Sequence, residues 1–90
     1  LKFIISSEAK KQLHRLYPKK MLRIFPKIKT WAGITYKLVQ DELAEGKDNL
    51  YKIEDLLFII DKEEEKEVSY IEIDYENDWA GEDFIITAGF

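Results

Sequence analysis

Ninety residues with 46% apolar and 13% aromatic side chains make one globular domain, residues 1–90, and are too apolar for a disordered chain. No run of ~18 apolar residues allows a membrane helix, and the absence of cysteine removes thiol nucleophiles, redox pairs and thiolate metal sites. The net charge of −4 hides a split, with +9 through Lys37 and −13 from Leu38 onward.

In chain order, Lys2–Ile5 reads as a first strand. Ser6 and Ser7 offer a helix N-cap, and Glu8 sits in the first turn, where the helix dipole favours an acid. Ala9, Leu13, Leu16 and Tyr17 fall on one helical face, and Pro18 stops the helix. Met21–Pro26 reads as a strand with Leu22 and Ile24 inward. A bend at Ala32-Gly33 precedes the clearest alternating strand of this half, Gly33–Gln40. Asp41–Asn49 is polar, contains Gly46 and reads as a loop. Leu50–Ile53 and Leu56–Ile60 have hairpin spacing around Glu54-Asp55, poor chemistry for a tight turn. Asp61 is placed to cap a short exposed helix in the charged stretch that follows, and Glu63–Glu67 belong in solvent. Tyr70–Glu76 alternates, with Ile71, Ile73 and Tyr75 on one side. Asn77-Asp78 reads as a turn, and Phe84–Ala88 as the last strand. The composite is a β-dominated α+β domain, antiparallel or mixed, folded as a small sandwich or a curved sheet, with an N-terminal helix and a second short one.

The charge split has two readings. In one, the halves lie against each other and compensate, and this is favoured because the acidic half is rich in strand signals. In the other, Lys19, Lys20, Arg23, Lys27 and Lys29, interleaved with apolar residues, track the phosphates of an anionic partner such as nucleic acid. Overall acidity argues against the second. Asp74, Glu76 and Asp78 have the spacing of the first ligands of a Ca²⁺ loop, and make a carboxylate metal site the third reading, extended by Glu82 and Asp83. The pattern fails where Trp79 replaces the turn glycine. His14 is alone, and Ser6, Ser7 and Ser69 lie in no nucleophile motif. No phosphate-cradling glycine loop occurs. Nothing marks a catalytic pair, so no enzyme is expected.

The order of these elements resembles the HesB-like, A-type (IscA-like) iron–sulfur cluster assembly family. In that family a strand and an amphipathic helix precede a Cys-Ser-Gly-x-Ser/Thr-Tyr bend. The bend here reads Trp31-Ala32-Gly33-Ile34-Thr35-Tyr36. The apolar strand Leu56–Asp61, the charged stretch and the alternating strand Tyr70–Tyr75 keep the family's order, and Gly81–Ile86 resembles its Gly-Phe-x-Phe strand. The resemblance implies a HesB-like sandwich and a role in iron–sulfur biogenesis. It also implies that Trp31 stands where the first cluster cysteine belongs, and the C-terminal Cys-Gly-Cys has no counterpart through Phe90. An indole N–H only donates and cannot ligate a cluster. No cofactor is therefore expected, unless iron or a cluster is held by ligands from outside the chain. Trp31 then either fills a vacated pocket or is an exposed anchor for a protein partner. Gly33, Tyr36 and Trp79 are candidates for the same surface. A cytoplasmic, accessory, protein-binding role is the expectation, with a homo-oligomer as an analogy drawn from the family.

Overall fold

The computed structural model describes the backbone of residues 1–31, 33–78 and 81–89, and their side chains except at 27–30, 33, 34, 78 and 82. The elements are β1 (Lys2–Ile5), α1 (Ser7–Leu16), β2 (Met21–Thr30), β3 (Gly33–Gln40), β4 (Asp48–Ile53), β5 (Leu56–Asp61), α2 (Lys62–Glu65), β6 (Tyr70–Asp78) and β7 (Gly81–Gly89).

The strands form one seven-stranded sheet in the order β1-β6-β7-β3-β2-β5-β4. The β1–β6 and β2–β5 pairs are parallel; the other neighbours are antiparallel. In a flat sheet β1 and β5 would lie roughly 24 Å apart, at about 4.8 Å per strand. Instead Phe3 of β1 stacks on Phe58 of β5 with ring centroids 5.2 Å apart, and meets Tyr51 of β4 at 5.3 Å. The sheet therefore curls until its two ends face each other, and the sandwich expected from the sequence is a single sheet closed on itself. Period-two alternation supplies the interior: Ile71, Ile73 and Tyr75 from β6, Leu22 and Ile24 from β2, and Leu56, Phe58 and Ile60 from β5 are buried. Ile59 is buried too, so β5 is covered on both faces, as a strand with a parallel neighbour tends to be.

The Ser6 hydroxyl accepts from the Ala9 N–H at 3.1 Å and caps α1, whose Ala9 and Leu13 are fully buried. Leu16 departs from expectation and is 42% exposed, because it is the last helical residue and the chain turns away towards Pro18. Tyr17, at the C-cap, packs against the core in its place. Asn77-Asp78 is not a turn. Both residues are paired strand, Asn77 with Glu82 and Asp78 with Gly81, so the ladder outweighs their turn propensity. Glu54 adopts φ +56° to close the β4–β5 hairpin, a left-handed conformation that suits glycine.

The β2–β3 hairpin is paired from Leu22↔Gln40 to Thr30↔Gly33, with a bulge between Pro26 and Ile28. Its neighbours leave it early. β5 pairs with β2 only as far as Arg23, and β7 meets β3 at Tyr36↔Ile86. Among the described residues, no other strand pairs with the hairpin beyond Arg23 and Tyr36, and this part of it forms an arm that ends in the turn at Trp31.

Candidate functional site

Trp31 occupies the turn at the end of this arm and is 100% exposed. Among the described residues it fills no pocket, against the reading in which its ring replaces a cluster inside the chain. Gly33 lies beside it at the first position of β3, paired with Thr30. Tyr36 has a different job from the surface role expected of it. It is 5% exposed and belongs to the core, rooting the arm in the sandwich. Among the described residues its hydroxyl has no hydrogen-bond partner, and burial, together with the negative fields of Glu64 and Glu67, raises its pKa. Trp79 lies outside the described residues.

Arg23 is likewise not free to bind an outside anion. Its Nη1 and Nη2 donate to both carboxylate oxygens of Asp48 at 2.8 and 2.6 Å, and its Nε donates to Asp41 at 2.5 Å. A third partner, the Glu42 carbonyl, accepts from Nη2 at 3.3 Å. Asp48 is the buried charged residue among those described, and it also accepts from the Ala44 N–H at 2.8 Å. The forked guanidinium matches a carboxylate's geometry, which explains an arginine here rather than a lysine. The Arg23 hydrogen bonds, helped by the Ala44 N–H, hold the Asp48 carboxyl down at about 2, while Asp48 in turn raises the guanidinium. Asp41 is lowered by Arg23 and then by the Glu42 N–H. This node joins the basic half of the chain to the acidic half, and Lys10 with Glu54 at 3.3 Å does so again at the surface. Lys19 and Lys20 are exposed just beyond the end of α1, while the Lys27 and Lys29 side chains lie outside the described set.

The carboxylates expected to form a cation loop lie instead along a strand. Asp74 accepts from the Tyr75 N–H at 2.8 Å and from the Ser6 hydroxyl, and both lower its pKa. Glu76 is one pleat further, roughly 6.6 Å along β6, opposite Asp83 on β7. The Asp78 side chain lies outside the described set. Extended geometry spreads these groups where a loop would converge them. Among the described residues, no group of three or more His, Cys, Asp or Glu is placed to hold a metal ion.

The seven-stranded order has counterparts among solved structures. IscA crystallised with its [2Fe-2S] cluster superposes with a TM-score of 0.73 over 96% of this chain and 84% of that one, at 19% identity. This chain has the IscA-like fold. A protein from Aquifex aeolicus, solved by NMR in solution, superposes with a TM-score of 0.64 over 94% of this chain and 89% of that one, at 24% identity. No protein-family model and no curated protein matches the sequence. The likeness is one of fold, and the donor set does not follow it. These ninety residues contain no cysteine, so they cannot hold an iron–sulfur cluster by thiolates. On the IscA-like frame the sequence reading missed the Arg23–Asp48 node, whose partners lie eighteen to twenty-five residues apart in sequence, with no spacing rule to link them.

Proposed function

We propose that this chain is a non-enzymatic protein-interaction module on the IscA-like fold, with an accessory part in iron–sulfur cluster biogenesis and no cluster of its own. The observation that carries this reading is the fully exposed Trp31 at the tip of the β2–β3 arm. By the family resemblance that position belongs to a cluster thiolate, and here it presents an indole. An aromatic ring of this size buries about 150–250 Å² on docking, and tryptophan is enriched among residues that dominate binding. A rooted arm adds to this, because Tyr36 fixes its base in the core and little ordering is left to do on binding.

Two measurements test the reading. Anaerobic reconstitution with iron and sulfide is expected to leave no stoichiometric sulfide on the chain; a stable cluster would overturn it. A photo-reactive phenylalanine at position 31 is expected to give one defined adduct in lysate, suppressed when unlabelled native chain competes. Competition by the Trp31→Ala chain as strong as by the native one would remove Trp31 from the interface.

A further inference from the structure

The end of α1 and the β4–β5 hairpin enclose a cleft of about 470 Å³, a volume within the ~300–1,000 Å³ of small-molecule pockets. Local chemistry builds both walls. Pro18 forbids a further helical turn, so the chain reverses through residues 17–20, and the Lys20 N–H donates to the Tyr17 carbonyl at 3.4 Å. On the other side Lys10 of α1 meets Glu54 at the end of the hairpin, 3.3 Å away. Tyr17, Pro18, Leu56 and Leu57 make the cleft apolar, and His14, Lys19, Lys52 and Asp55 are its polar residues.

The charges are uncommitted. Among the described residues Lys19, Lys52 and Asp55 enter no ion pair and no side-chain hydrogen bond, and together they leave the lining at +1. His14 is within 2.8 Å of the Lys10 carbonyl through Nδ1. A carbonyl only accepts, so Nδ1 carries a proton and Nε2 is the open nitrogen of the ring. Lys19 adds an independent observation. It sits third in the turn with φ +58°, a left-handed conformation that suits glycine. A lysine there gives up stability, and no ion pair or hydrogen bond of its side chain offsets the loss. What its side chain does line is this cleft.

We propose that the cleft binds a small organic anion, an apolar body of about one ring that carries a carboxylate or a phosphate. The body packs on Tyr17, Pro18 and Leu57. The head group lies between Lys19, from the turn, and Lys52, from the hairpin. Apolar walls with a few charges that fix orientation are the usual division of labour in such sites. The carbonyl end of α1 is close by and favours cations, so the preference for an anion rests on the two lysines. Trp31 does not line the cleft, and the proposal stands apart from the interaction reading.

The test is an amide-shift titration of the ¹⁵N-labelled chain with benzoate, phenyl phosphate, benzyl alcohol and benzylamine. Both anions are expected to give saturable shifts at residues 14–17, 19, 52 and 55–57, and the tighter of the two names the head group. Lys52→Gln is expected to weaken binding about threefold, as for a solvent-exposed charge contact. Lys19→Gly is expected to weaken it by a similar factor while leaving the urea midpoint at or above the native one. Both lysines are exposed, so the variants keep the fold. Benzyl alcohol or benzylamine binding as tightly as the anions would overturn the proposal. So would shifts outside the cleft, shifts that do not saturate, or indifference to both substitutions.

Discussion

Asp48→Asn tests whether the Arg23 node is a structural clamp. The substitution keeps shape and removes charge, and it turns an amide donor towards the guanidinium. The Asp48 carboxyl lies at about 2 in the fold against a usual 3.8, and its side chain is 1% exposed. At about 1.4 kcal/mol per unit, that difference is worth about 2 kcal/mol. Removing one partner of a buried pair costs about 3–5 kcal/mol when the other is stranded, but Arg23 keeps Asp41 and the Glu42 carbonyl, so about 2–3 kcal/mol is expected. With a urea slope near 1 kcal/mol/M for a small domain, the midpoint falls by about 2 M at pH 7. The sign of the pH dependence is fixed. A folded value below the unfolded one makes the contribution complete above about pH 4 and lost as pH falls towards 2. Urea melts followed by circular dichroism should therefore show the native and Asp48→Asn chains converging over that range. A gap under about 0.5 kcal/mol at pH 7, or one equally large at pH 2.5, would refute the clamp.

Three further outcomes are expected. Ser6→Ala removes the N-cap of α1 and a donor to Asp74, and should cost about 1 kcal/mol in urea melts; a loss below about 0.3 would mean the cap is idle. Glu54→Gly relieves a left-handed φ of +56° and gives up the exposed pair with Lys10, for a net gain of about 0.5–1 kcal/mol; a lower urea midpoint would contradict this. Tyr51 is pushed up to about 12 by burial and by its hydrogen bond to Glu65, and Tyr36 is raised as well, so ultraviolet titration should show more than one tyrosine ionising above 10 in the native chain and one fewer in Tyr51→Phe. Its stabilising share is complete below pH ~10 and lost as pH rises towards 12.

Local chemistry made much of the fold legible. Ser6 announces α1, Asp61 announces α2, and the alternation through Ile71, Ile73 and Tyr75 announces β6, because each signal lies within a few residues. Leu16 and Asn77-Asp78 mislead for the opposite reason: where a helix ends on the sheet, or whether a ladder runs on, is decided by residues far along the chain. The resemblance supplied the order of elements, which periodicity alone leaves open. At the site, sequence marked Trp31 as odd, but only the β2–β3 pairing shows that it sits in the turn of a long hairpin. Arg23 looked like part of a basic stripe because Asp41 and Asp48 reach it only through the curl of the loop.

The parallel pairing of β1 with β6 sets the timing of assembly during synthesis. Lys2 waits for Tyr70, and Phe3 cannot close the sandwich until Phe58 has emerged. At about 5–20 residues per second the first strand is outside the ribosome for several seconds before its partner exists. In that interval α1, directly after it, is the neighbour with a local reason to form. Long-range pairing of this kind slows folding, and it leaves the Phe3–Ile5 strip exposed on the nascent chain. In this fold β6 and β5 finish what β1 begins.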